Sequence, residues 1–163
     1  AASDVYKRQI QENIVRAGAI NVQTRCMDAT VLDIDSEDSA DIVLADVPCS
    51  GYGVIGKKPD IKYKVTPSKQ EEIVILQRKI LDRAARYVKR GGTLVYSTCT
   101  IAKEENQENV SWFLENYPFE AVELDSCLPQ ELCCETTKLG YLQLLPGVHK
   151  TDGFFIAKFK RKR

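Results

Sequence analysis

The distribution of apolar residues along the chain predicts alternating strands and helices. The segment 41–46, DIVLAD, is almost continuously apolar, which is typical of a parallel strand buried on both faces. Further strands are predicted for the shorter apolar runs at 21–27, 93–98, 119–124, 141–146 and 153–161.

Three segments between these runs have helical periodicity. They cover residues 10–19, 68–90 and 104–117, and the first is predicted to stop near Gly18. In the other two, apolar residues recur along one face. They are Ile73, Leu76, Ile80, Ala84 and Val88, followed by Val110, Phe113, Leu114 and Tyr117.

The ends of the second helix have recognisable signals. Ser68 is followed three residues later by Glu71, which predicts a capping box. Gly91 and Gly92 are predicted to end the helix.

Repeated strand–helix units predict an α/β sheet with right-handed crossovers. In such sheets, ligands bind beyond the carboxyl ends of the strands. Asp28, Asp46, Cys49 and Cys99 all lie at or just past predicted carboxyl ends. We therefore expect these four residues to converge, although they are distant in sequence.

Composition narrows the possible chemistry. The chain has 163 residues, the length of one domain, with a formal net charge of zero, so only a local patch could attract nucleic acid. It has no apolar run near the roughly 18 residues of a membrane span. The six cysteines include no C-x-x-C pair, and His149 is the only histidine, so we expect no metal site and free thiols in a reducing cytosol.

Cys99 is the stronger candidate nucleophile. It precedes the segment IAKEENQENV, and the positive end of a helix dipole there would favour a thiolate, with Lys103 nearby. Cys49 follows Pro48 and precedes a glycine-rich turn. Each cysteine could also be a small structural residue, and Asp28 and Asp46 could be ordinary turn caps. None of the four residues indicates a site alone, and only their joint placement at strand ends does.

Three segments together resemble the RNA cytosine-5 methyltransferases, and most closely the bacterial 16S ribosomal RNA enzymes of the Sun/Fmu type. They are DVPCSGYGVIGKKPDIKY, GGTLVYSTCTIAKEENQENV and LPGVHKTDGFFIAKFKR. The resemblance implies a Rossmann-like class I methyltransferase sheet. It also implies a cytoplasmic monomer that uses S-adenosylmethionine and acts on RNA, with no membrane or metal partner.

The resemblance also implies a role for each candidate residue. Cys99 matches the nucleophile that attacks carbon 6 of a flipped cytosine, and Cys49 matches the cysteine that assists product release. Asp46 matches a residue at the cofactor and the target base, and Asp28 matches an acidic residue that contacts the cofactor adenine.

A basic segment adjoins the predicted site. Residues 57–90 contain 11 Lys or Arg against 4 Asp or Glu. Four lysines fall in the loop after Cys49, where they could meet RNA phosphates or form an ordinary solvated face. They are Lys57, Lys58, Lys62 and Lys64. Because extruding a base costs least when it is unpaired, we expect a single-stranded or loop cytosine as the target.

The chain also departs from the family pattern. The family's Gly-rich cofactor loop and its first two strands have no counterpart, so we expect a sheet truncated at its N-terminal strands and a fragment that is inactive alone. The string SDVYKRQ matches the codons TCA GAT GTG TAT AAG AGA CAG of a transposon sequencing adapter. Residues 1–9 are therefore predicted to be an adapter artefact, and residues 10–163 a partial methyltransferase domain.

Two other functions remain open on the sequence. A DNA cytosine-5 methyltransferase would use the Pro-Cys thiol, Cys49, as its nucleophile and leave Cys99 idle. An RNA-binding module whose catalytic role has lapsed would use the basic segment alone.

Overall fold

A computed structural model of the protein describes residues 4–64 and 66–163, except for the side chains of residues 4–6 and 64. The chain divides into two compact units at Leu32 and Asp33. In the first unit, helix α1 (Asp4–Arg16) ends just before Gly18, which has a φ of +66°. The prediction of a helix that stops near Gly18 is confirmed.

The strand predicted at 21–27 is absent. Residues 22–28 of the first unit form no regular element. A strand needs a neighbour to pair its backbone amides and carbonyls, and every strand in the described part of the chain lies between Ala40 and Arg161. The apolar residues of this segment include Val22 and Met27, which are 47% and 38% exposed.

The second unit contains the sheet and four helices. Its strands are β1 (Ala40–Asp46), β2 (Val88–Thr98), β3 (Phe119–Ala121), β4 (Tyr141–Leu144) and β5 (Phe154–Arg161). Its helices are α2 (Ile61–Lys64), α3 (Pro67–Tyr87), α4 (Gln107–Asn116) and α5 (Glu135–Lys138). Among the described residues, no helix is long and apolar enough to cross a bilayer.

The strands form one mixed sheet in the order β1-β2-β5-β3, with β4 also paired to β5. Strand β1 runs parallel to β2, whereas β5 is antiparallel to each of its neighbours. The predicted α/β fold class is confirmed, and the parallel pair gives β1 and β2 a common carboxyl end.

The core lies between the sheet and the helices α3 and α4. Leu81, Leu94, Phe113 and Phe159 are at most 1% exposed and belong to one cluster. Burying each such side chain contributes about 1.5–3 kcal/mol. The predicted inward residues of α4 are confirmed, since Val110 and Phe113 are buried and Leu114 and Tyr117 pack against the cluster.

Strand β1 differs from the expectation of burial on both faces. Ile42 and Leu44 are 70% and 67% exposed. Within the described residues, β1 pairs only with β2 and is therefore an edge strand. One face of β1 packs on the core through Val43 and Ala45, and the other face remains open.

The ends of α3 also differ from the prediction. The N-cap is Thr66, whose side chain accepts a hydrogen bond from the Lys69 amide, and Pro67 takes the first helical position. The predicted capping box of Ser68 and Glu71 is therefore wrong. At the other end, α3 gives way directly to β2 at Val88, so the two glycines lie inside the strand rather than ending the helix.

The apolar face of α3 is rotated from the predicted one. Its most buried positions are Gln77, Leu81, Ala84 and Ala85, while Ile80 is only partly buried. A polar side chain at the centre of this face was not predicted from the pattern of apolar residues.

Candidate active site

The carboxyl ends of β1 and β2 bring Cys49 and Cys99 together. Asp46, the last residue of β1, lies opposite Ser97 of β2, so both strands end at the same edge. Cys49 follows β1 by three residues, and Cys99 follows β2 directly. The two Sγ atoms are 3.2 Å apart, although 50 residues separate them in sequence. The predicted convergence of the two sulfurs is confirmed.

Close backbone packing fixes the two loops. The Gly53 amide donates to the Cys99 carbonyl at 3.0 Å, and the Gly153 amide donates to the Gly53 carbonyl at 2.8 Å. A Cβ atom at Gly53 would lie 2.2 Å from the Gly153 carbonyl oxygen. Only glycine fits where these three segments touch, and the loop before β5 therefore supports the cysteine pair.

Cys99 influences the protonation of Cys49. Burial, and after it the hydrogen bond and charge of Cys99, together raise the pKa of Cys49 to about 12. The Gly51 and Cys99 amides oppose this shift by donating to Cys49 Sγ. Because two anions cannot both be accommodated at 3.2 Å, Cys49 keeps its proton when Cys99 is a thiolate.

Cys99 does not lie at a helix N-terminus, contrary to the prediction. Helix α4 begins at Gln107, eight residues later, with Asn106 as its N-cap. The intervening segment folds back because Asn106 is buried and bonds to the Thr98 hydroxyl and the Thr100 carbonyl. The helix-dipole argument for a Cys99 thiolate is therefore wrong.

Asp46 lies at the same edge as the cysteines. Its Oδ1 accepts a hydrogen bond from the Ser97 hydroxyl at 2.8 Å, and its side chain is exposed. The carboxylate is thus held in place at the end of β1 while remaining accessible to a ligand.

Asp28 does not follow a strand, contrary to the prediction, and it belongs to the first unit. Its Oδ1 accepts hydrogen bonds from the amide and the hydroxyl of Thr30, and these bonds lower the pKa of Asp28. This is the geometry of a turn cap. Its predicted contact with the cofactor stays a prediction.

The lysines of the loop after Cys49 differ in their surroundings. Lys57 forms an ion pair with Asp152 at 2.6 Å, and Lys58 is exposed. Lys62 Nζ lies 6.0 Å from the ring centroid of Tyr63, which is 82% exposed. The side chain of Lys64 lies outside the described residues.

A buried polar network beneath the Cys49 loop was not predicted from the sequence. It joins Gln77 of α3, Tyr96 of β2, Asn109 of α4 and Glu105, each fully or nearly fully buried. Glu105 accepts a hydrogen bond from the Ser50 amide, and Gln77 donates one to the Pro48 carbonyl. The sequence feature that could have indicated this network is Gln77, a glutamine within the apolar face of α3.

A separate cavity of about 520 Å³ lies between the first turns of α3 and α4. Its lining includes Glu71, Glu104 and Glu108 but no predicted site residue. Three carboxylates would repel phosphate groups, so this cavity does not suit RNA.

Comparison with known proteins identifies the family. A family model described as 16S rRNA methyltransferase RsmB/F matches residues 2–160. The chain belongs to this family. The match covers the cysteine pair, both candidate aspartates and the lysine-bearing loop.

Curated relatives carry corresponding names. The chain is 38% identical over 154 residues to "Ribosomal RNA small subunit methyltransferase F" of Cronobacter sakazakii, covering 93% of this chain and 32% of the relative. It is 39% identical over 165 residues to "Probable ribosomal RNA small subunit methyltransferase B" of Bacillus subtilis, covering 98% and 37%. The chain thus spans about a third of the length of these relatives.

Solved structures agree with the fold. The chain superposes on a structure named "Crystal Structure of PH0851" with a TM-score of 0.88 and 34% identity, covering 99% of this chain and 36% of that one. It superposes on NSun6 from Pyrococcus horikoshii with SFG at a TM-score of 0.77 and 30% identity, covering 99% and 40%. The Rossmann-like methyltransferase fold expected from the sequence is confirmed.

Proposed function

We propose that the complete protein of which this chain is part methylates carbon 5 of a cytosine in ribosomal RNA through a covalent cysteine adduct. The contact of 3.2 Å between the Cys49 and Cys99 sulfurs carries this proposal. The family match supports a ribosomal RNA substrate. The chain spans about a third of the length of its curated relatives, and we propose that it is a partial domain that is inactive by itself.

Cys99 acts as the nucleophile. Its thiolate attacks carbon 6 of the cytosine, a C–S bond forms, and the electron pair moves to carbon 5. S-adenosylmethionine, when bound, supplies an electrophilic methyl group. Carbon 5 then holds both the methyl group and its original hydrogen.

Cys49 completes the reaction. Its thiolate removes the proton from carbon 5, and the electron pair of that C–H bond restores the 5,6 double bond. The C–S bond breaks at the same time and returns Cys99 as a thiolate. Cys49 therefore has to lose its own proton after Cys99 has attacked.

The geometry provides a reason for this order. In the free protein, the hydrogen bond and the charge of Cys99 help to raise the pKa of Cys49. Once Cys99 sulfur carries a bond to carbon, it has neither a proton to donate nor a negative charge. Two of the causes that raise the Cys49 pKa then disappear, so Cys49 loses its proton more readily and its thiolate becomes available as the base at the moment it is needed.

Asp46 and Asp28 are the proposed cofactor residues. Asp46 fits this role because its carboxylate is accessible at the edge where the cysteines lie and is oriented by Ser97. It can accept hydrogen bonds from the cofactor or from the amino group of the cytosine. Asp28 is proposed only from the family pattern, because its Oδ1 is engaged by Thr30.

The loop from Gly51 to Lys64 is the proposed RNA contact. It is anchored near the site because Ile61 Cδ1 packs 3.1 Å from where a Cβ atom of Gly51 would lie. Lys58 and Lys62 are exposed and can meet phosphates, as proposed also for Lys57 and Lys64. The exposed ring of Tyr63 offers a surface on which a base can stack. Such an RNA enzyme would act in the cytoplasm.

The proposal is tested by trapping the complete protein on RNA that contains 5-fluorocytosine. Fluorine at carbon 5 cannot leave as a proton, so the adduct with Cys99 should persist. We expect Cys99→Ala to abolish the adduct and Cys49→Ala to retain it, as seen on denaturing gels. Cys127→Ala is the matched control, because Cys127 is exposed and outside the pair.

The opposite result identifies the rival mechanism. An adduct that survives Cys99→Ala but is lost in Cys49→Ala would make Cys49 the nucleophile, as in DNA cytosine-5 methyltransferases. RNA binding without any adduct or methyl transfer by the complete protein would instead indicate a binding module.

A further inference from the structure

The backbone on both sides of Cys49 is held by a buried polar network. Glu105 is fully buried, and its Oε2 accepts hydrogen bonds from the Ser50 amide at 3.0 Å and from Gln77 Nε2 at 2.8 Å. Gln77 Nε2 also donates to the Pro48 carbonyl at 2.9 Å. The residues before and after Cys49 are therefore tied to the same carboxylate, one directly and one through Gln77.

The network is itself braced from the helices and the sheet. Asn109 Nδ2 donates to Gln77 Oε1 at 2.9 Å, which sets the orientation of the Gln77 amide. The Tyr96 hydroxyl donates to the Glu105 carbonyl at 2.6 Å. These contacts fix Glu105 from α3, β2 and α4, so the carboxylate has little freedom to move.

The network reaches Cys99 as well. The Ser50 hydroxyl is 2.7 Å from the Thr100 hydroxyl, and both groups are buried. Ser50 and Thr100 each directly follow one of the two cysteines. Anchoring Ser50 therefore fixes the Cys49 loop relative to the residue next to Cys99.

Glu105 is energetically unfavourable for the stability of the fold at this position. Its Oε1 is buried and has no hydrogen-bond partner among the described residues. A buried carboxylate with one unsatisfied oxygen is destabilising compared with a well-packed apolar side chain. Such a cost is expected where the group serves the site rather than stability.

We propose that Glu105 is a positioning residue for the cysteine pair. It holds the Pro48 carbonyl and the Ser50 amide so that Cys49 Sγ stays in contact with Cys99 Sγ. The proposal rests on the proposed function only in that it takes these two thiols to be the reactive groups.

The test measures how well the two sulfurs are placed, without RNA or methyl donor. The equilibrium between the Cys49–Cys99 disulfide and oxidised glutathione gives the effective concentration of one thiol at the other. Each disulfide formed reduces one oxidised glutathione to two glutathione thiols. The chain carries Cys26→Ser, Cys127→Ser, Cys133→Ser and Cys134→Ser, so that only the pair can react.

Three variants distinguish positioning from packing. Glu105→Ala should lower the effective concentration about tenfold or more, because it removes the acceptor of the Ser50 amide and of Gln77. Glu105→Gln should restore it, because the amide oxygen can accept from Ser50 and Gln77 while its NH₂ takes the place of the unpartnered Oε1. Glu104→Ala should leave it unchanged, because Glu104 is exposed and bonds to Gln70.

Several results would overturn the proposal. They are an unchanged effective concentration in a folded Glu105→Ala chain, equal losses in Glu105→Ala and Glu105→Gln, or no disulfide in the parent chain. If Glu105→Ala fails to fold, Gln77→Ala removes the Pro48 contact and the bonds of Gln77 to Glu105 and Asn109, but leaves the bond between Ser50 and Glu105. It should lower the value about threefold. No change in that variant would also contradict the proposal. Loss of RNA trapping with normal disulfide behaviour would instead count against the proposed function.

Discussion

Two sulfur atoms in contact cannot be understood as separate titrating groups. The Cys49 thiol is held near its partner by strand register and by the packing of Gly53 on Gly153. Burial and the neighbouring sulfur both favour its protonated form. The protonation of Cys49 therefore depends on the state of Cys99.

The influence of Cys99 on Cys49 predicts that the Cys49 thiol ionises only at high pH. With the other four cysteines replaced by serine, the ultraviolet absorbance of the Cys49 thiolate should appear only as pH approaches about 12. Cys99→Ala should lower the Cys49 pKa, because the hydrogen bond and the repulsion are removed while burial remains. An unchanged Cys49 titration in Cys99→Ala would show that the two groups are independent.

The sequence was sufficient to predict the convergence of Cys49 and Cys99, because both follow strands that run parallel. It was not sufficient to predict that Glu105 and Gln77 contact the loop that carries Cys49. These side chains meet the Cys49 loop across 55 and 29 residues of sequence. Their placement depends on how α3 and α4 pack on the sheet, which periodicity does not specify.

The loop between β1 and α3 links the proposed chemistry to the proposed RNA contact. Ile61 packs on the backbone of Gly51, two residues after Cys49, and so ties α2 to the site. Tyr63, two residues further on, has an exposed ring that contributes nothing to the core. An exposed aromatic ring beside lysines is typical of a surface that stacks on unpaired bases.

We therefore expect Tyr63→Ala to weaken binding of single-stranded RNA by about 1–3 kcal/mol, measured by fluorescence anisotropy with the complete protein. Tyr63→Phe keeps the ring and should bind normally. Lys62→Gln should instead reduce the salt dependence of binding by about one unit of slope. Equal binding by Tyr63→Ala and Tyr63→Phe would rule out stacking.

The pattern of apolar and polar residues predicted most elements of the second unit. It failed where the conformation depends on contacts with other segments of the chain. β1 was recognised from its apolar run, yet the exposure of Ile42 and Leu44 depends on which strands lie beside it. Residues 101–106 have helical composition, but the buried contacts of Asn106 hold them in turns. The N-cap of α3 is Thr66 rather than the predicted Ser68, because Pro67 fits the first helical turn.

At the scale of the whole molecule, β1 is an edge strand of the sheet within the described residues. In the described residues β1 has one paired edge, and its apolar residues Ile42 and Leu44 face outward. The chain also spans only about a third of the length of its curated relatives. An unpaired edge strand can pair with a further strand, and we propose that the cofactor site needs additional chain on that side.

The isolated 163-residue chain should therefore fail to bind S-adenosylmethionine. Asp46 alone offers a held, accessible carboxylate, and a cofactor of that size needs enclosure on several sides to offset its loss of freedom. We expect isothermal titration calorimetry to detect no binding to the isolated chain but clear binding to the complete protein, with unchanged circular dichroism as the check on folding. Micromolar binding by the isolated chain would show that the described residues are enough. It would also imply that cofactor binding does not depend on further strands beside β1.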